Sequence, residues 1–98
     1  MIRNRYKEVL RLRDMLKEAG IPHKFTYGFM NGAQIKYPEK DNFVCSAIEH
    51  DGSYGALDDK IEIMGLLTDE EAEYDSVADG LTAEEVFARI QAHWEANN

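Results

Sequence analysis

The chain has 98 residues, 44% hydrophobic and 31% charged, with a net charge of −8. This length and composition fit one globular domain with one core and exclude a disordered chain. Net acidity argues against general nucleic-acid binding, which needs Lys and Arg to displace counterions. No apolar run approaches the roughly 18 residues of a membrane span, and the opening Met-Ile-Arg-Asn-Arg-Tyr-Lys lacks the apolar stretch of a signal peptide. Cys45 is the only cysteine, so an intramolecular disulfide and a multi-cysteine zinc site are excluded, and a reducing cytoplasm fits. The charge is uneven. Residues 1–38 hold eight Lys/Arg and three Asp/Glu, whereas residues 39–98 hold three Lys/Arg and sixteen Asp/Glu. Such asymmetry marks either a basic and an acidic face or a basic first helix lying against acidic segments of the same fold.

From Asn4, a fitting N-cap, Tyr6, Val9, Leu10, Leu12, Met15, Leu16 and Ala19 recur at helical spacing. Gly20 suits the left-handed position after a helix, Ile21 can fold back on the last turn, and Pro22 stops continuation. The pattern predicts a helix over 4–19. Phe25, Tyr27 and Phe29 then alternate with polar or small residues, as do Ala33, Ile35 and Tyr37 after Asn31-Gly32. A three-residue Met30-Asn31-Gly32 loop, with Gly32 left-handed and forming a bulge, would pair Phe29 with Ala33, Tyr27 with Ile35 and Phe25 with Tyr37. All six would then share one face. Pro38 closes that strand. Residues 43–48 are apolar on both parities, as in a central strand, and residues 51–59 read as a loop. Residues 60–64 alternate as a fourth strand, with a short helix as the competing reading.

Two capping boxes follow. Thr68 with Glu71 starts a short helix, and Thr82 with Glu85, stapled by Leu81 and Val86, starts a helix over 83–96. The expected fold class is therefore α+β. A small antiparallel sheet of three or four strands, a hairpin plus a meander, is held between an N-terminal and a C-terminal helix in a single domain, 1–98.

The side chains that could carry chemistry are few. Cys45 and His50 fall five apart along a strand, on opposite faces, so they make a poor nucleophile–base pair, and a buried structural thiol is the expectation. Residues 51–62 begin with Asp and end with Glu, as a calcium loop does. Gly55 offers no ligand at the fifth place, however, and Ala56 replaces the required glycine at the sixth. Glu49, His50, Asp51, Asp58 and Asp59 could gather around a divalent ion, but no second histidine stands at fixed spacing, and a solvated loop rim explains them. Gly52-Ser53-Tyr54-Gly55 lacks the strand-to-helix context and the lysine of a phosphate loop, which leaves Tyr54 as a contact residue or a cover for the sheet edge. His23 and His93 stand at element edges, where capping or packing accounts for them.

The acidic cluster Asp69, Glu70, Glu71, Glu73, Asp75 and Asp79, with Glu84 and Glu85, could dock a basic partner. Glu70, Glu71, Glu84 and Glu85 fall in first helical turns, where the helix dipole favours anions. That leaves Glu73, Asp75 and Asp79 unexplained by local structure.

Val-Cys-Ser-Ala-Ile-Glu-His, Gly-Ser-Tyr-Gly, Glu-Ile-Met-Gly-Leu-Leu-Thr, Tyr-Asp-Ser-Val and Leu-Thr-Ala-Glu-Glu-Val-Phe-Ala-Arg-Ile follow one another between Val44 and Trp94. In this combination the chain resembles a group of small uncharacterised proteins of phages and prophages of Gram-positive (Firmicutes) gut bacteria. The resemblance covers most of the chain. It implies a cytoplasmic mobile-element accessory protein and carries over no catalytic residue. The leading expectation is a non-enzymatic binding protein that meets a protein partner through its acidic or sheet surface, with no cofactor or metal and a homodimer possible. The alternatives are a small-ligand or metal binder, or minor enzyme, at the 49–59 loop, and a phage structural or assembly component.

Overall fold

The computed structural model describes residues 7–29, 32–50 and 60–97. Helix α1 spans Lys7–Ala19 and is followed by strands β1 (Lys24–Phe29), β2 (Gly32–Tyr37), β3 (Cys45–His50) and β4 (Ile61–Met64). A short helix α2 (Asp69–Tyr74), strand β5 (Val77–Leu81) and helix α3 (Ala83–Ala96) complete the chain. The strands form one antiparallel sheet in the order β1-β2-β3-β4-β5. The α+β class and the terminal helices are as expected, and the sheet has one strand more. Asn4 and residues 51–59 lie outside the described residues. None of the described helices is long and apolar enough to cross a membrane.

The helix ends follow local chemistry. Gly20 has φ +71°, the Ile21 N–H donates to the Leu16 carbonyl at 3.0 Å, and the Gly20 N–H donates to Lys17 at 3.2 Å. This is the Schellman closure that the Gly20-Ile21 pair promised. Both capping boxes are formed, with the Thr68 and Thr82 hydroxyls each accepting from the N3 backbone N–H, Glu71 and Glu85.

Both long helices lie on the same face of the sheet, which corrects the expectation of a sheet held between them. Val9, Leu12 and Leu16 of α1 and Val86 and Ile90 of α3 share one core with Ala33, Ile35, Tyr37, Cys45, Ala47, Ile61 and Ile63. These strand residues are the odd-numbered ones, because alternate side chains point to opposite faces. An apolar stripe on each helix needs one apolar surface, and the sheet has only one face rich enough to receive both.

The hairpin register differs from the expected one by two residues: Phe25 pairs with Ile35 and Tyr27 with Ala33. Gly32 is a strand residue paired with Phe29, and the irregularity falls on β1 between Tyr27 and Phe29 rather than at Gly32. A slip of two keeps every side chain on its face, so burial pattern alone does not separate the two registers. The full ladder from β2 to β3, Gly32 with His50 through Tyr37 with Cys45, anchors β2 instead. Phe43 and Val44 precede β3 and are both 37% exposed, so the strand expected over 43–48 lies two residues further on.

Strand β5 has no counterpart among the expected elements. It pairs Ile61 with Leu81 and Ile63 with Ala78, so β5 carries one extra residue around Asp79 and Gly80, and Gly80 has φ +74°. Asp and Gly are depleted in strands, and the bulge breaks the alternation by which a strand is recognised. At Gly65 the chain turns from β4 toward α2 with φ +93°, and a Cβ there would stand 2.0 Å from the Val44 carbonyl oxygen. Only glycine fits that approach.

Candidate binding surface

The expected site residues divide into three groups. Asp51, Tyr54, Asp58 and Asp59 lie outside the described residues. His50 ends β3 and pairs with Gly32 through the backbone. Glu73, Asp75 and Asp79 are exposed on α2, its C-cap and β5.

Glu49, read as part of a solvated rim, is fully buried. Its Oε1 accepts the Val9 backbone N–H of α1 at 3.1 Å. Nearby, Glu8 is also buried, and its carboxylate accepts the Ala83 N–H that opens α3 at 2.9 Å while pairing with Arg11 at 2.8 Å. Arg11 pairs in turn with Glu84. One ion pair thus joins basic α1 to the acidic start of α3. Among the described residues, no group of three or more His, Cys, Asp or Glu side chains is arranged to hold a metal ion.

Cys45 is buried beneath the helices, and desolvation pushes its thiol up to about 12, with Arg89 opposing. A thiol so far from ionisation is a poor nucleophile. The Tyr37 hydroxyl lies 2.7 Å from His93 Nδ1, with the rings edge to face at 5.5 Å. Burial raises the Tyr37 phenol, with Cys45 as a lesser cause. The His23 Nδ1 lies 2.9 Å from the Ile21 carbonyl oxygen. Both histidines therefore sit within the packing of their elements.

The acidic cluster resolves into spent and unspent charges. Arg89 of α3 forms a two-pronged pair with Glu71, at 2.8 and 2.9 Å, and also donates to the Leu66 carbonyl at 3.1 Å. Arg89 holds the Glu71 carboxyl down to about 2, and the Thr68 backbone N–H adds to this. Glu84 is likewise lowered, first by the backbone N–H at its own position and then by Arg11. Sequence reading missed Arg89, although it is the only arginine after residue 13 and stands in the acidic part of the chain. By contrast, Glu73 and Asp79 form no ion pair among the described residues, and Asp75 accepts from the N–H and hydroxyl of the adjacent Ser76, at 2.6 and 3.5 Å.

Between α2 and β5 lies an open groove of about 430 Å³, lined by Glu70, Tyr74, Asp75, Val77 and Asp79 among others. Tyr74 is 84% exposed. Two of the three unexplained acids thus come together here, while Glu73 stands on α2 outside the lining. β5 is the last strand of the sheet, and no described strand pairs with its outer side. The groove therefore offers carboxylates, an exposed ring and the sheet's edge strand in one place. Compared with known proteins, the chain matches no family model, no curated protein and no solved structure.

Proposed function

We propose that the chain is a non-enzymatic binding protein whose α2–β5 groove takes an extended basic segment of a protein partner. The observation that carries this reading is Tyr74, held almost wholly exposed beside Asp75 and Asp79 at the sheet's edge strand. Exposed aromatic rings serve as contact anchors, strand edges accept extended peptides through main-chain hydrogen bonds, and carboxylates select Lys or Arg side chains. An accessory protein acting in a bacterial cytoplasm, as the resemblance implies, would use such a groove to occupy a basic stretch of a host or element-encoded protein.

The test is titration with a peptide of about ten residues alternating Lys or Arg with Val or Ile, the pattern of a strand with one charged face. Binding should saturate, weaken with salt, and fall at least tenfold in Asp75→Lys/Asp79→Lys and in Tyr74→Ala. Glu18→Lys/Glu95→Lys changes net charge equally on the exposed faces of α1 and α3 and should leave binding nearly intact. Equal losses in both charge variants would reduce the effect to net charge and remove the groove as the site.

A further inference from the structure

The sheet face away from the helices carries its own pattern and meets the α2–β5 groove at Val77. The ladders place Thr26, Gln34, Ile48 and Glu62 in one row across the sheet, and Lys24, Lys36, Ser46, Met64 and Val77 in the next. Ile48, Met64 and Val77 line an apolar hollow of about 210 Å³, bordered by Gln34, Ser46 and Glu62. Met64 is 49% exposed. Gln34 and Ser46 are themselves buried, with Gln34 donating to the Ser46 hydroxyl at 3.0 Å, and the Lys36 ammonium lies over the Phe43 ring, 4.7 Å from its centroid. Among the residues of these two rows, the charges are sorted. Lys24 and Lys36 occupy the β1–β2 side, and Glu62 occupies the β4 side.

We infer that this face is the seam of a homodimer in which the open sheets of two copies stack. The occupant is a second copy because the face is complementary to itself. A two-fold axis running along β3 between the sheets lays β2 of one copy over β4 of the other, and the reverse. Each Lys36 then faces the β4 of the partner copy, one row, or roughly 7 Å along the strand, from its Glu62, within reach of a lysine stem. Ile48, on the central strand, meets its own copy, and Met64 covers the apolar part of Lys36. Five strands spaced about 4.8 Å apart give a face roughly 19 Å wide, so the buried area falls at the small end of specific interfaces. The dimer is therefore weak and dependent on concentration.

Sedimentation velocity across a concentration series, from low micromolar to about 1 mM, tests this, since a small interface populates only at the upper end. The weight-average mass should climb from 11.2 kDa toward twice that value. Lys36→Glu and Glu62→Lys should each remain monomeric throughout, with circular dichroism unchanged. Mixed one to one, the two variants should dimerise again, because each reversed charge then faces its complement. A wild-type chain that stays monomeric at 1 mM would overturn the inference. A dimer indifferent to both reversals, or two monomeric variants that fail to rescue each other, would overturn it equally, since assembly would then use a strand edge or the groove. The peptide titration of the α2–β5 groove, run at low micromolar protein where the chain is monomeric, reads the groove separately from these outcomes.

Discussion

The two faces of the sheet are built from adjacent residues of the same strands, yet they hold different positions in the energetics of the protein. The helix-covered face is closed: Ile35, Ala47, Ile61 and Ile63 are wholly buried against α1 and α3. The opposite face mixes Lys, Gln, Ser and Glu with three apolar side chains; Gln34 and Ser46 are buried in it, Met64 is half-exposed, and no described element lies over it. The difference teaches that parity along the strand decides which side chains enter the core. A residue on an even position of β4 is available to a partner because its odd neighbour already satisfies the core.

Ile63 and Met64 give that comparison its largest expected contrast. Ile63→Ala should cost about 2–5 kcal/mol in denaturant unfolding, from lost burial plus an unfilled cavity. Met64→Ala should cost about 0.5 kcal/mol or less in the monomer, since its side chain is half in water. Similar losses in the two variants would show that the open face is stabilising in its own right. The buried carboxylate at the helix crossing comes next. Glu8→Ala leaves the Ala83 N–H without its acceptor in a buried place and should destabilise by about 1–3 kcal/mol, read from the same unfolding curves. An unchanged midpoint would mean that water replaces the carboxylate.

The smallest effect is that of acid on the Arg89–Glu71 pair. The folded-state value for Glu71 is about 2, below its ordinary 4.5. A lowered carboxyl contributes stability that is fully present above its unfolded value and lost as pH falls through the folded one. Wild type should therefore lose this contribution between about pH 4.5 and 2, and Glu71→Gln should show a shallower decline of Tm across that window. Parallel declines would show that the pair tethers α2 without contributing to stability.

Helix α3 was legible to the residue, because Thr82, Glu85 and the stripe Val86, Ile90, Trp94 are local signals whose meaning does not depend on the rest of the fold. The stop of α1 at Gly20-Ile21 was legible for the same reason. Glu49 was not. A glutamate at a strand end reads as solvent-facing, and only the docking of α1 over β3 gives its carboxylate the Val9 N–H as a partner. Of the candidate site, Asp75 and Asp79 were visible as charges without a local purpose. Tyr74 was not singled out, because exposure of an aromatic ring is a property of its surroundings. β5 was missed because its bulge at Asp79-Gly80 hides the alternation.

By itself, the sequence determined whatever depends on neighbours within a turn or a pleat: where the helices begin and end, which parity of each strand is apolar, and that the thiol would be alone. Tertiary structure decided what parity cannot: the two-residue offset of the hairpin, the gathering of both helices on one face, and the pairing of Glu8, Glu49 and Glu71 with distant partners. Periodicity names the face a side chain points to, whereas register and partnership depend on which surface arrives there through packing across the chain.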